Sequence, residues 1–213
     1  MAKKHKLSII TIEHCPDIDS LELARINSAL EKKSSYFFIS DNDAFNNIDD
    51  HININDSSQN IFKVKDAQNI LILNDTSKFN SQEDFVKTLL KTNYDIIIIK
   101  PLFNNVERYS QEDLQKLHFK KNGSKRLLLA EFNVSEASPG EYYWHKDWKT
   151  GSPDWLVRKS FDNENNIITE YWNPEWKQII SRHFKDIINE GFDGVFFTGI
   201  ENYKYFERLT PLE

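Results

Sequence analysis

Three glutamates have the residue type and the placement to do chemistry: Glu131, Glu136 and Glu201. The first two follow the apolar run RLLLA, and the third follows GVFFTGI. A carboxyl just past a buried strand stands at the edge of the core, where it can take up or hand on a proton. Two such groups on opposite sides of one bond can divide the work of acid and base. Glu136 is the first candidate. Glu131 has a second reading as the ion-pair partner of Lys100, and Glu201 as a helix N-terminal acid facing the dipole. Aromatic residues concentrate in the same stretch: Tyr142, Tyr143, Trp144, Trp148, Trp155, Tyr171, Trp172 and Trp176. Such rings cover flat C–H faces well, and they also fill cores. Trp176 lies on a helical apolar stripe and reads as core, whereas Tyr143, Trp144, Tyr171 and Trp172 read as site residues. Asn74, Lys100, Asn133 and Thr198 each follow a strand-like run and are candidate polar contacts to a ligand.

Other chemistries lack their residues. The histidines at 5, 14, 51, 118, 145 and 183 are scattered with no H-E-x-x-H, so no metal site is expected. His183 sits beside the apolar stripe and reads as packing. The single cysteine, Cys15, excludes an intrachain disulfide and a cysteine-based zinc site, and reads as a small buried residue near a strand end. Asp41, Asp43, Asp49 and Asp50 lack the spacing and glycine of an EF-hand loop. No G-x-S-x-G, P-loop or G-x-G-x-x-G occurs, and no cofactor is expected.

The elements that must position these groups alternate. Residues 7–12 read as a buried strand, and 21–32 as a helix with Leu23, Ile26 and Leu30 at helical spacing. Residues 36–39 are a second strand, 41–60 an Asn/Asp/Ser-rich loop, and 61–64 offer a further short strand. Residues 70–73 form a strand. Ser81 with Asp84 opens a helix carrying Phe85, Val86, Leu89 and Leu90. Residues 95–99 lack alternation, as in a parallel strand buried on both faces. Ser110 caps a helix with Leu114 and Leu117. Strands follow at 126–132 and 166–171. Pro174 begins a helix with Trp176, Ile179, Ile180, Phe184, Ile187 and Ile188 on one face, Gly191 is its C-cap, and 193–197 is the last strand. The alternation gives an α/β class.

Four phrases in order carry a family resemblance: NILILNDTSKFNSQEDFVKTLLKTNYDIIIIKPLF, KNGSKRLLLAEFNVSEASPGEYYW, EYWNPEWKQII and EGFDGVFFTGIENYKYF. Over about residues 69–207 they resemble the barrel domain of glycoside hydrolase family 114, a group that includes endo-α-1,4-polygalactosaminidases and proteins long labelled "cysteinyl-tRNA synthetase-related". The resemblance implies a TIM (β/α)8-type barrel with its site at the C-terminal strand ends. It implies as substrate a polymer of α-1,4-linked galactosamine or N-acetylgalactosamine. Position by position, the family's Gly-Glu pair becomes Ser135-Glu136, its tyrosine becomes Glu131, and the arginine before its Tyr-Trp becomes Glu141. Tyr143-Trp144, Tyr171-Trp172, Trp176, Asp193-Gly194 and the acid at Glu201 match. The aspartates that end two strands are here Lys100 and Thr198. Thr198 cannot act as the acid, and the Lys100 cation would repel an ammonium sugar or pair with Glu131 or Glu136. Two functional readings therefore stand side by side: a hydrolase using Glu136 with Glu131 or Glu201, and a catalytically inactive barrel that binds carbohydrate or a protein partner.

At 213 residues the chain suits one domain, though a full barrel usually takes about 250. The expected division is a segment at 1–68 and a barrel region at 69–213. The first supplies strands that complete the barrel, as in a circular permutation, or else the barrel is truncated. A net charge of −6 with scattered basic residues argues against non-specific nucleic-acid binding. The cluster Lys3-Lys4-His5-Lys6 reads as a solvated terminus. No run approaches the roughly 18 residues of a membrane helix, and the apolar stretch at the start is too short for a signal peptide. The expected setting is cytoplasmic, or secreted if a leader precedes the sequence. Oligomeric state is left open.

Overall fold

The computed structural model describes residues 10–30, 34–39, 45, 48 and 57–209. The expected loop at 41–60 falls mostly outside these residues, and the basic cluster at 3–6 lies wholly outside them. The chain is mixed α/β, with a parallel sheet of four strands and helices. It divides into two compact units, Met1–Leu129 and Ala130–Glu213.

The first unit opens with β1 (Ile10–Cys15), α1 (Ile18–Leu30) and β2 (Ser34–Ile39). β1 and β2 pair in parallel as their own two-stranded sheet, from Ile10 opposite Ser34 to Cys15 opposite Ile39. Parallel neighbours need a crossover, and α1 supplies it. Cys15 is buried and packs with Leu21 and Ala24. The expected apolar face of α1 is not the buried one: Leu23, Ile26 and Leu30 are 61%, 58% and 77% exposed. Leu21 and Ala24 are three positions apart and face the strand, so the register against β1 overrides the larger side chains. The expected strand at 61–64 is also absent; Val64–Asp66 form a 3₁₀ turn.

β3 (Ile70–Leu73) and β4 (Ile96–Ile99) then pair in parallel, joined through α2 (Gln82–Leu89). Both strands are buried throughout, as their unbroken aliphatic runs require of a sheet covered on two faces. Ser81 accepts from Asp84 N at 3.1 Å, and Ser110 accepts from Asp113 N at 3.0 Å, which caps α2 and α3 (Gln111–Leu117) as read from sequence. A short hairpin, β5 (Leu102–Phe103) with β6 (Glu107–Arg108), lies between β4 and α3.

The starts of the strands are held by buried charge. The Lys120 ammonium lies 2.6 Å from Asp95 Oδ1, with both side chains buried. It also donates to the carbonyls of Ser57 and Gln59 at 3.1 and 3.0 Å. Asp95 Oδ2 accepts from Gln68 N at 2.8 Å. Arg126, 1% exposed, donates to Thr92 Oγ1, Thr92 O and Phe119 O at 2.9, 3.0 and 2.5 Å. Burial pushes its guanidinium down to about 10, and Asp95 pulls it partly back.

β7 (Leu127–Asn133) starts in this unit and ends in the second. In the second unit its neighbour is β11 (Gly194–Thr198). The connection between them holds a three-stranded antiparallel sheet, order β8 (Glu136–Ala137), β10 (Ile167–Thr169), β9 (Leu156–Lys159). The strand expected at 166–171 thus belongs to this sheet and not to the parallel one. Then comes α4 (Pro174–Glu190), with Asn173 accepting from Glu175 N, Pro174 in the first turn and Gly191 closing it at φ 118°. α4 buries Trp176, His183 and Ile187, while Phe184 and Ile188 at the margin of its stripe stay 39% and 38% exposed. The last element among the described residues is α5 (Tyr203–Leu209).

Candidate functional site

β7 alternates. Leu128, Ala130 and Phe132 are buried on one face, and Glu131 and Asn133 point to the other. Just past its end the chain turns, and Glu136 begins β8. Its side chain is 7% exposed and receives four neutral donors. Ser160 Oγ at 2.7 Å and Asn202 Nδ2 at 3.0 Å reach Oε1, while Asn133 Nδ2 at 3.2 Å and Asn166 Nδ2 at 3.1 Å reach Oε2. A carboxylate offers about four acceptor positions, and here each oxygen has two donors. No cation takes part in this set.

The turn that brings Glu136 there is organised by Asn133. Its Oδ1 accepts from Ser135 N and Glu136 N at 3.1 and 3.0 Å, so its amide holds the backbone with one end and the carboxylate with the other. Ser135 Oγ donates to Gly199 O at 2.5 Å and accepts from Asn202 Nδ2 at 2.9 Å. Val134 N donates to Thr198 O at 3.1 Å. Gly199 has φ +74°, and a Cβ there would overlap Asn133 Oδ1 and lie 2.8 Å from Ser135 Oγ. Glycine is therefore required both for the backbone angle and for space.

The other sequence candidates in this unit take distinct places. Glu131 is half-buried. Its Oε1 is 3.5 Å from Thr198 Oγ1, and its Oε2 is buried with no hydrogen-bond partner among the described residues. Glu201 is exposed in a 3₁₀ turn, Ile200–Asn202, whose Asn202 is the side chain turned to Glu136. Tyr143 is half-buried and packs edge-on against Trp176 and His183 at 5.7 and 5.6 Å, and burial pushes its phenol up. Trp144 begins a packed row in which Trp144–Trp148, Trp148–Trp155 and Trp155–Trp176 centroids lie 5.5, 5.0 and 5.5 Å apart. Tyr171 and Trp172 are 37% and 44% exposed and touch each other and Phe206. Trp176 is core, as read, with its Nε1 donating to Val134 O at 2.9 Å. His183 stacks on Phe132 at 5.3 Å.

Asn74 and Lys100 belong to the first unit, each directly after its strand. Lys100 Nζ donates to Asn105 Oδ1 at 3.1 Å. The sequence pairs Lys100 with Glu131 or Glu136; among the described residues its partner is this loop amide. Asn104 and Asn105 adopt φ of 50° and 63°, and Thr76 and Asn104 exchange two hydrogen bonds of 2.7 and 3.2 Å, tying together the loops after β3 and β4.

Sequence reading missed Ser160, Asn166, Asn202 and Gly199. A glycine directly after the GVFFT strand was the one available signal. Among the described residues no three His, Cys, Asp or Glu side chains gather as a metal site, and no helix is long and apolar enough to cross a membrane.

Fold and site together define a mixed α/β chain with a donor-lined buried carboxylate past a parallel strand. No protein-family profile matches it. It is similar to an uncharacterized protein of Methanocaldococcus jannaschii, 29% identical over 176 residues, covering 80% of this chain and 49% of the relative. It also resembles uncharacterized proteins of Deinococcus radiodurans (35% over 79 residues, 37% of this chain and 26% of the relative) and Thermotoga maritima (30% over 78 residues, 37% and 24%). The chain thus spans half or less of the length of these curated relatives. Among solved structures it is similar to the glycoside hydrolase domain of PelA from Pseudomonas aeruginosa. The TM-score is 0.38 at 15% identity, over 53% of this chain and 40% of that one. A variant of the same domain gives 0.34 at 16%, over 54% and 44%.

Proposed function

We propose that this chain is a glycoside hydrolase acting on an α-1,4-linked galactosamine or N-acetylgalactosamine polymer, with Glu136 as one working carboxyl and Glu131 or Glu201 as the other. The reading is supported chiefly by the setting of Glu136, a buried carboxylate fixed by Asn133, Ser160, Asn166 and Asn202 at the end of a parallel strand. Every acceptor position of Glu136 is addressed by a donor, so one of the four must turn away before the carboxylate acts as nucleophile or base. A retaining enzyme would hold its two carboxyl groups about 5–5.5 Å apart and an inverting one about 6.5–9.5 Å. The architecture proposed is a TIM (β/α)8-type barrel in which residues 1–68 supply closing strands; β1–α1–β2 is a βαβ unit of the required kind. A solved structure in which β11 gains no second neighbour would remove that part.

The second reading, a catalytically inactive barrel that binds carbohydrate or a protein, is favoured by Thr198. It puts a hydroxyl 3.5 Å from Glu131 where the resemblance has an acid. Mass spectrometry of oligomers released from partly N-acetylated α-1,4-galactosaminan separates the two. Under the hydrolase reading the native chain releases oligomers, and Glu136→Gln lowers the rate about 100- to 10,000-fold. No release by folded native protein leaves the binding reading.

A further inference from the structure

A run of aromatic rings is carried by the segments that hold Glu136 and extends beyond the rings read from sequence. Phe161–Tyr205, Tyr205–Phe206 and Phe206–Trp172 centroids are 6.1, 5.0 and 4.6 Å apart, and Tyr171 touches Trp172 at 4.9 Å. Phe161 is 60% exposed. Three separate segments carry these rings, and each also holds Glu136 or the turn before it. Ser160, beside Phe161, donates to Glu136. Thr169, two residues before Tyr171, donates to Ser135 O through its N and its Oγ1 at 2.8 and 3.0 Å. Asn202, three before Tyr205, donates to Glu136. The run of rings is therefore fixed relative to the carboxylate.

At its far end Arg158 lies over Phe161 at 3.9 Å and over Tyr205 at 5.4 Å. Its Nε donates to Lys159 O at 3.0 Å. Among the described residues no carboxylate pairs with it, so both terminal amino groups are open. A stacked guanidinium with an open fork takes carbonyl or carboxylate oxygens and repels ammonium. Arg126 shows the first of these in the same molecule, donating to two backbone carbonyls.

We infer that Arg158, Phe161 and Tyr205 form a subsite for an N-acetylated hexosamine unit, with the acetamido carbonyl on the Arg158 fork and its methyl and ring face on the aromatics. This rests on the amino-sugar reading above and adds to it a preference: the acetylated unit is accepted here and the free amine refused. The probes are fully N-acetylated and fully deacetylated α-1,4-galactosamine oligomers, titrated calorimetrically into the full chain at low salt. The acetylated oligomer binds about tenfold or more tighter. Arg158→Gln abolishes the difference, while Arg158→Lys, which keeps the charge, still disfavours the deacetylated one. Equal or tighter binding of the deacetylated oligomer to the native chain overturns the inference. So does a preference unchanged in Arg158→Gln, a preference lost in Arg158→Lys, or no binding of either oligomer. Hydrolysis is read separately: oligomers bound with the stated preference but not cleaved sink the hydrolase reading and leave the subsite standing.

Discussion

Gly199 is the residue on which the setting of Glu136 depends. Its φ of +74° and the overlap between Asn133 Oδ1 and any Cβ at this position leave no room for a side chain. Gly199→Ala should cost about 2–3 kcal/mol in urea unfolding, combining backbone strain with displacement of Asn133. A cost under about 0.5 kcal/mol would mean that Asn133 yields freely and does not fix the turn. At this scale the sequence was legible in part. Glu136 could be singled out from its place after an apolar run. Its donors could not, because Ser160, Asn166 and Asn202 lie 24, 30 and 66 residues away along the chain. No local pattern marks an asparagine as one that will face a carboxylate. The aromatic residues were ambiguous for a similar reason: Trp144 and Trp172 look alike in sequence, yet Trp144 heads a packed tryptophan row and Trp172 stands 44% exposed.

Elements were most legible where backbone chemistry is local. The ends of α4 follow from Asn173, Pro174 and Gly191, each needed for a stated hydrogen-bonding or dihedral reason. Asn173→Ala should remove the cap to Glu175 N and lower stability by about 1 kcal/mol, measured by thermal or chemical unfolding. An unchanged stability would mean that Glu175, which also binds Trp155 Nε1 at 2.9 Å, holds the helix start alone. β10 was misplaced because a three-residue apolar strand, Ile167–Thr169, carries no sign of whether its partners are parallel or antiparallel. The buried face of α1 was misread because periodicity names the largest apolar side chains, while contact with Cys15 selected Leu21 and Ala24.

At the scale of the whole molecule the α/β alternation was plain and the order of the strands in the sheets was not. Strand order depends on which distant segments meet, and hydrophobic runs carry no such address. What the sequence also hid is the buried charge at the strand starts. Lys120 joins Asp95 to the carbonyls of Ser57 and Gln59, so it fastens the segment before β3 to the start of β4. Lys120→Met would leave Asp95 buried without this cation and the Gln59 carbonyl without the ammonium, while the Ser57 carbonyl would keep Asn122 Nδ2 at 3.2 Å. The expected loss is about 3–5 kcal/mol, seen as a shift of the denaturation midpoint. A loss under about 1 kcal/mol would show that water replaces the ammonium. β4 therefore has two ends under different constraints. Asp95 before it is locked into a network, whereas Lys100 after it holds one loop amide among the described residues. A lineage can explore new side chains at position 100 while position 95 stays fixed, so the strand carries an anchored foot and an evolvable tip.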